Sequence, residues 1–506
     1  MSKRRKAVLG AIFGQAVGDA LGAPFEFGPP NQFSERFPKP IYSGNAEMIG
    51  GGAFGWKPGE FTDDTQMAMI GMEAVSLYVD QVEGQNYDEF LSYLYDRYQR
   101  WSREANDVGS TTRGALSKGD WSTGAKLQHE MTGFSASNGS VMRTGPMMAA
   151  ALALNVPQLA ALKMAFHQSR LTHWDLKAAV SATFLAGIID ECIFAAFEPL
   201  DWRDNFSKML GSARRSALEL FQELDISLDI VTEVIDYVSS WEPSVTSPTN
   251  GHAISCLGQA IYSVKTANSY EEAVVTAINL GGDTDTVAAV TGSIAGARWG
   301  IDGIPFRWVT QVNGEVRMFD KRTIDMCHLK ADGRKGEHIW NHASLMEYSL
   351  SFLGETDNIS YMEPAAGPTQ VHDDFPIFAA NLTSVSKMDD EDNLAVLSMC
   401  RTADFTEHFA ERRNVYIIDS EDANDHLHLT VMECIETIDE WLDQGRKVIV
   451  HCHAGRSRTG FMLKAWYMHR FKASHQDAHD WLTDRWPIYA PLGNLDFSDY
   501  LDFQVL

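Results

Sequence analysis

Gly281-Gly282-Asp283-Thr284-Asp285-Thr286, running into an apolar helical pattern that ends at Trp299, decides how this chain is read. Two glycines break the preceding segment, and acids and threonines then open a helix. One side-chain oxygen suffices to cap the free N–H groups of a helix start, and one acid opposes its dipole. Two aspartates exceed that need. A second stretch, Thr62-Asp63-Asp64-Thr65, repeats the pattern at another helix start. If the two starts meet, their carboxylates repel one another unless a cation neutralises them. Carboxylate and hydroxyl oxygens, with no His or Cys nearby, favour magnesium, manganese or calcium over zinc.

Working outward, residues 7 to about 315 repeat apolar positions at spacings of three and four, with almost no period-two alternation. The spacing predicts helices over 64–79, 87–104, 156–166, 175–194, 202–224, 228–238, 252–264 and 283–299. Gly-rich connections such as Gly50 to Gly59 and Gly133 to Gly145 separate them. An all-α domain over residues 1–345 follows. Residues 346–369 read as a linker that ends in Pro364-Ala-Ala-Gly-Pro368. Over 370–506, strands at Leu394 to Met399, Val415 to Ile418 and Lys447 to Val450 alternate with helices at 431–442, 461–471 and 475–486. That alternation implies a small parallel α/β sheet.

The 506 residues exceed one hydrophobic core, and 44% apolar content supplies material for two or three. A net charge of −26 argues against broad binding to nucleic acid or to an anionic membrane. Six cysteines without paired spacing suggest free thiols in a reducing, cytoplasmic setting. No run reads as long and apolar enough to span a bilayer, and the start is taken as a core helix rich in small residues.

The first 300 residues resemble the ADP-ribosylglycohydrolase family through several motifs in order. Gly10-Ala-Ile-Phe-Gly-Gln-Ala-Val-Gly-Asp-Ala-Leu-Gly-Ala-Pro-Phe-Glu26 looks like the family's first helix and glutamate loop. Phe61-Thr-Asp-Asp-Thr65, Ser137-Asn-Gly-Ser-Val-Met-Arg143, Thr172-His173 and the Gly281–Thr286 helix start follow. The resemblance implies a two-magnesium site, with manganese possible, ligated by Thr62, Asp63, Asp64, Asp283, Asp285 and Thr286. It implies removal of ADP-ribose from a protein or small molecule, with modified nucleic acid left open. Glu26 is the implied acid/base or substrate-gating residue. Asn138, Gly139 and Ser140 would meet the pyrophosphate, and His173 the substrate.

Near the other end stands His451-Cys452-His453-Ala454-Gly455-Arg456-Ser457-Arg458-Thr459-Gly460. A buried strand leads into it and a helix leaves it, so backbone N–H groups would surround a bound phosphate. Cys452 is the candidate nucleophile, its thiolate favoured by that field with His451 and cations nearby. Arg458 can grip two phosphate oxygens. His453, Ala454, Gly455, Arg456, Ser457 and Thr459 complete the loop, with Thr459 placed to donate to the departing thiolate. The segment resembles the dual-specificity branch of the tyrosine phosphatase superfamily. That resemblance implies an aspartate acid upstream, where Asp419, Asp422 and Asp425 compete and spacing favours Asp422. A phosphorylated substrate is implied, and the acid excess disfavours a membrane one. The expected whole is a bifunctional hydrolase. Alternatives are a glycohydrolase with a non-catalytic phosphate-binding domain, or an ADP-ribose reader joined to a phosphatase.

Overall fold

Gly10, Gly14, Gly18 and Gly22 recur every four residues along the opening helix, Lys3–Gly22, and therefore share one face. That face crosses the helix Thr284–Trp299 in antiparallel sense, Gly10 opposite Gly296 and Gly22 opposite Thr284. Backbone meets backbone. A methyl carbon added at Gly14 would lie 2.1 Å from the Gly292 carbonyl oxygen, and one at Gly292 would lie 2.0 Å from that of Gly14. Glycine inside a helix costs about 1 kcal/mol relative to alanine, so the close crossing must return more than that. Tyr270 Oη donates to Gly14 O at 2.7 Å, and Thr284 Oγ1 to Gly22 O at 2.8 Å, which fixes the register.

The computed structural model describes residues 3–195, 202–243, 251–331, 338–354, 364–402, 405–418, 424, 426–486 and 488. Helices pack around the central pair in one continuous apolar core, among them Asp63–Leu77, Thr144–Ala153, Leu176–Ala195 and Ala253–Thr266. The expected helices are present, and Thr144–Ala153 and Tyr270–Asn279 are additional. The opening helix is, by length and composition, apolar enough to cross a membrane, contrary to expectation. Yet 94% of its apolar window is buried inside the domain.

The first domain is not purely helical. Strands β1 (Asn313–Glu315), β2 (Lys330–Ala331) and β3 (His338–Asn341) form a small antiparallel sheet in the order β1-β3-β2. These runs of two to four residues are too short to carry a detectable alternation. The helix His342–Ser351 follows, and Leu345, Met346, Tyr348 and Leu350 enter the first core. The stretch 346–369 therefore begins inside a packed helix; residues 355–363 lie outside the described set.

The second domain is a five-stranded sheet built from β4 (Thr369–Gln370), β5 (Ile377–Asn381), β6 (Leu394–Ser398), β7 (Arg412–Asn414) and β8 (Lys447–Cys452). Its order is β4-β5-β8-β6-β7, parallel except for the antiparallel edge strand β4, so the sheet is mixed. The expected strand at Val415–Ile418 is displaced: β7 ends at Asn414, Val415 N still donates to Ser398 O of β6, and the apolar residues beyond it continue towards the first domain. Helices Leu427–Asp443, Ser457–Phe471 and His475–Arg485 pack on the sheet.

A buried cation, Arg307, helps join the domains. Arg307 contacts Glu47 at 3.3 Å, Glu271 at 2.5 Å and, across the junction, Glu433 at 3.3 Å. Burial works against its charge, but Glu433, Glu271 and Glu47 more than offset that and raise its pKa. Glu433 also accepts from the Phe306 and Arg307 N–H groups. The loop at Tyr42–Gly44 adds backbone bonds to Glu440, Glu411 and Arg413.

Gly292→Val should open the central crossing and destabilise the first domain by about 1–3 kcal/mol or more. Calorimetry should show its transition lowered, whereas Gly211→Ala, with open space around it, should leave the transition unchanged or raised.

Candidate functional sites

The central crossing delivers the two acidic stretches to one place. Thr62 caps the helix Asp63–Leu77 through Asp64 N, and Asp283 precedes the helix Thr284–Trp299. Glu26 joins them: Phe27 N donates to Gly282 O at 2.5 Å, which ties the glutamate loop to the Gly281–Gly282 turn. Gly281 and Gly282 have φ of 76° and 79°, a conformation that glycine adopts without strain. One carboxylate oxygen from each of Glu26, Asp283 and Asp285 lies within 4.8 Å of the others. Thr286 Oγ1 donates to Asp64 Oδ2 at 3.4 Å and Thr62 Oγ1 to the same oxygen at 3.5 Å, which brings both stretches into contact.

The electrostatics of this cluster are severe. Burial, then the charge of Asp283, raises Glu26 to a pKa of about 8. Asp63 is raised well above its usual range by burial and then Asp107, and Asp64 by burial and then Asp19. Burial and Asp283 do the same to Asp285. Glu26 Oε2 and Asp64 Oδ1 are buried without a hydrogen-bond partner. Buried carboxylates that lack donors are what a hard cation would satisfy, and all the oxygens on offer suit one.

Two acids were not singled out from the sequence. Asp19 is fully buried and accepts from Thr62 N, Thr65 N and Thr65 Oγ1. Burial outweighs these bonds and raises its pKa to about 6. Asp107 is raised by burial and by Asp283. Asp19 is an acid within an otherwise apolar, glycine-rich helix, and that was the available signal. The expectation of no Cys nearby also needs correction. The Cys256 thiol lies behind the cluster, where burial and then Asp283 and Asp64 push its pKa well up.

The loop Ser137–Ser140 supports this cluster. Asn138 Nδ2 donates to Asp283 Oδ2 at 2.8 Å, and Ser140 Oγ accepts from Ser169 Oγ at 2.8 Å. His173 is fully buried, with Nε2 bound to Ser137 Oγ and Nδ1 to Thr172 Oγ1. Its ring would lie 3.1 Å from a methyl carbon at Gly139. It thus packs beneath the loop, and burial pushes its pKa well down.

In the second domain, β8 runs between β5 and β6 and ends at Cys452, paired in register with Asn381. Ligands of parallel sheets gather at such carboxyl ends. The loop turns through Gly455, φ 72°, whose carbonyl accepts from Trp486 Nε1 at 2.8 Å. His453 O accepts from Leu382 N at 3.3 Å. Arg456, Ser457 and Arg458 lead into the helix Ser457–Phe471. Thr459 Oγ1, fully buried, has no partner. Arg458 Nη1 donates to Met399 O and Ile417 O. His451 does not supply the expected positive charge: burial lowers its pKa to about 4, and Nε2 bonds Ser398 Oγ at 2.6 Å. The acid candidates Asp419, Asp422 and Asp425 lie outside the described residues.

The sequence profile of the ADP-ribosylglycohydrolase family matches residues 1–334, well over half of the chain. The chain belongs to that family. The catalytic domain profile of dual specificity phosphatases matches residues 380–498, so a second enzyme family is fused behind the first. Similar proteins include an ADP-ribosylarginine hydrolase of Serratia proteamaculans, 27% identical over 61% of this chain and 76% of its own. An ADP-ribosyl-[dinitrogen reductase] glycohydrolase of Rhodospirillum rubrum is 25% identical over 63% of this chain and 94% of its own. Among solved structures, an ADP-ribosylglycohydrolase-related protein complex aligns at 29% identity and a TM-score of 0.42, over 61% of this chain and 93% of that one.

The raised carboxylates give a pH test with a fixed sign. In chelator-treated protein the folded state retains a proton on Glu26 between its ordinary pKa of 4.5 and about 8, whereas the unfolded state does not. Folding stability should therefore fall as pH rises through that window. A hard divalent cation bound at the cluster should reverse the loss, adding about 2.7 kcal/mol at one hundred times its Kd. Thermal melts with and without the cation check both statements.

Proposed function

We propose that this family member is a bifunctional hydrolase: a magnesium-dependent ADP-ribosylglycohydrolase joined to a cysteine-dependent phosphatase. The observation that carries the first activity is the convergence of Glu26, Asp283 and Asp285 beside Asp64. Thr62, Asp63, Asp64, Asp283, Asp285 and Thr286 would hold two magnesium ions, or manganese in their place. Bound cations would supply charge neutralisation for the carboxylates and polarise oxygens at the scissile ribose. Glu26 stands beside this cluster and serves as the acid/base for a bond whose cleavage builds oxocarbenium character. Asn138 orients Asp283, and the small residues of its loop leave room for a pyrophosphate. The arginine linkage named for the Serratia relative is the first conjugate to test.

In the second activity the Cys452 thiolate attacks phosphorus, an S–P bond forms and the ester P–O bond breaks. Asp422 gives its proton to the departing oxygen. Water then attacks the phosphocysteine, returns a proton to Asp422 and releases the thiolate, towards which Thr459 donates. Arg458 and the loop N–H groups bind the phosphate oxygens. The orphaned hydroxyl of Thr459 favours this catalytic reading over a passive phosphate-binding loop. No disulfide joins the cysteines among the described residues, which suits a reducing, cytoplasmic setting.

The acidic cluster lies at the start of the helix Thr284–Trp299, and the second domain meets Ile301 just past its end. Sixteen residues of helix separate the two by about 24 Å.

Asp63→Asn or Asp285→Asn should abolish magnesium-dependent ADP-ribose release from an ADP-ribosylated protein while leaving hydrolysis of an aryl phosphate intact. Cys452→Ser should do the reverse and remove the aryl phosphate burst. Release without magnesium, or release that survives both aspartate variants, would refute the first activity. A burst that survives Cys452→Ser would refute the second.

A further inference from the structure

The two backbone carbonyls that hold the Arg458 guanidinium both lie on segments pinned by the first domain. Arg458 Nη1 donates to Met399 O at 3.0 Å and to Ile417 O at 3.2 Å. Two residues beyond Met399, Arg401 Nη2 donates to Glu347 Oε1 at 3.0 Å. Glu347 belongs to the helix His342–Ser351, which is packed in the first core. Three residues before Ile417, the Asn414 amide reaches His342 Nε2 at 2.7 Å and Thr402 Oγ1 at 3.0 Å. One buried amide thus links the first-domain helix to both segments.

The chemistry of His342 fits this linkage. It is fully buried, and burial lowers its pKa, so Nε2 can accept from Asn414 while Nδ1 faces Glu407 Oε1 at 3.5 Å. Between the anchors, Tyr416 packs against the first core. Ile301, Ile304, Phe306 and Val309 of the first domain wall a cavity whose other side is formed by Val415 and Ile417. Asn424 closes the far side: its amide both accepts from Ile418 N and donates to Ile418 O.

We propose that the first domain positions the phosphate-binding arginine of the second: His342 and Glu347, through Asn414 and Arg401, fix the carbonyls that aim Arg458. The proposal rests on the reading of the Cys452 loop as an anion-binding catalytic centre. A guanidinium is a rigid planar fork, so two fixed carbonyls determine the plane in which it meets a phosphate. An error of about 1 Å in such a plane can cost on the order of a hundredfold in rate. His342 and Glu347 are positioning residues, because neither sits in the cysteine loop. Helix His342–Ser351 is thus shared between the core of one enzyme and the site of the other.

The test uses the full chain and two readouts of Arg458 geometry: competitive inhibition by inorganic phosphate, and alkylation of Cys452 by anionic iodoacetate relative to neutral iodoacetamide. Glu347→Arg should weaken phosphate inhibition about tenfold, the loss of one charge-assisted contact. It should lower the iodoacetate preference by a similar factor, with iodoacetamide unchanged. Glu347→Arg combined with Arg401→Glu should restore both. If Glu347→Arg does not fold, the swapped pair against His342→Gln makes the same comparison. Unchanged phosphate inhibition and alkylation preference in folded Glu347→Arg and His342→Gln would overturn the proposal while leaving the catalytic reading in place. If the unaltered chain shows neither phosphate inhibition nor a preference for iodoacetate, the catalytic reading falls and the proposal falls with it.

Discussion

Everything in the first domain depends on two helices that touch through bare backbone. Gly10, Gly14 and Gly18 meet Gly296, Gly292 and Ala288 with no side chain between them. The helices Lys3–Gly22 and Thr284–Trp299, from opposite ends of the first domain's sequence, are thereby locked in register. Asp19 and Glu26 are carried to the same end of the bundle as Asp283 and Asp285. The Asp63–Leu77 helix is then drawn in by bonds from its N-terminal turn to Asp19. Packing places the charges; the charges do not assemble themselves.

That placement is costly without a counter-charge. Carboxylates that are buried, mutually close and partly unpartnered disfavour their ionised forms, which is why every resolved shift in the cluster is upward. A fold rarely keeps such a group of acids for its own stability, because removing them would relieve the strain. Strain of this sort collects at functional sites. The domain junction solves the opposite problem: Arg307, a buried cation, is surrounded by Glu47, Glu271 and Glu433, and its charge is offset by acids drawn from both domains.

Much of this was legible in the sequence, and the failures have physical causes. Long helices were found because apolar spacing repeats over several turns, and the paired acidic stretches because their surplus of carboxylates exceeds what capping needs. Short strands such as Asn313–Glu315 and Lys330–Ala331 carry too few residues for a period to register. The Val415–Ile418 run is apolar because it is buried at the junction, so composition placed a strand just past the end of β7, where the ladder with β6 runs out. His173 and His451 were assigned charge or contact from their positions beside motifs. Burial, invisible in a local pattern, makes both neutral supports. Asp19 lay within the quoted motif, but its role emerges only when the helix Asp63–Leu77 is folded against it.

The link from helix crossing to carboxylate cluster to cation binding is the thread on which the functional reading hangs. Manganese(II) titrated into the full-length chain and followed by electron paramagnetic resonance tests it most directly. The expected result is binding of neighbouring, magnetically coupled ions, displaced by magnesium and lost in Asp285→Asn. Weak binding that Asp285→Asn leaves unchanged would contradict it.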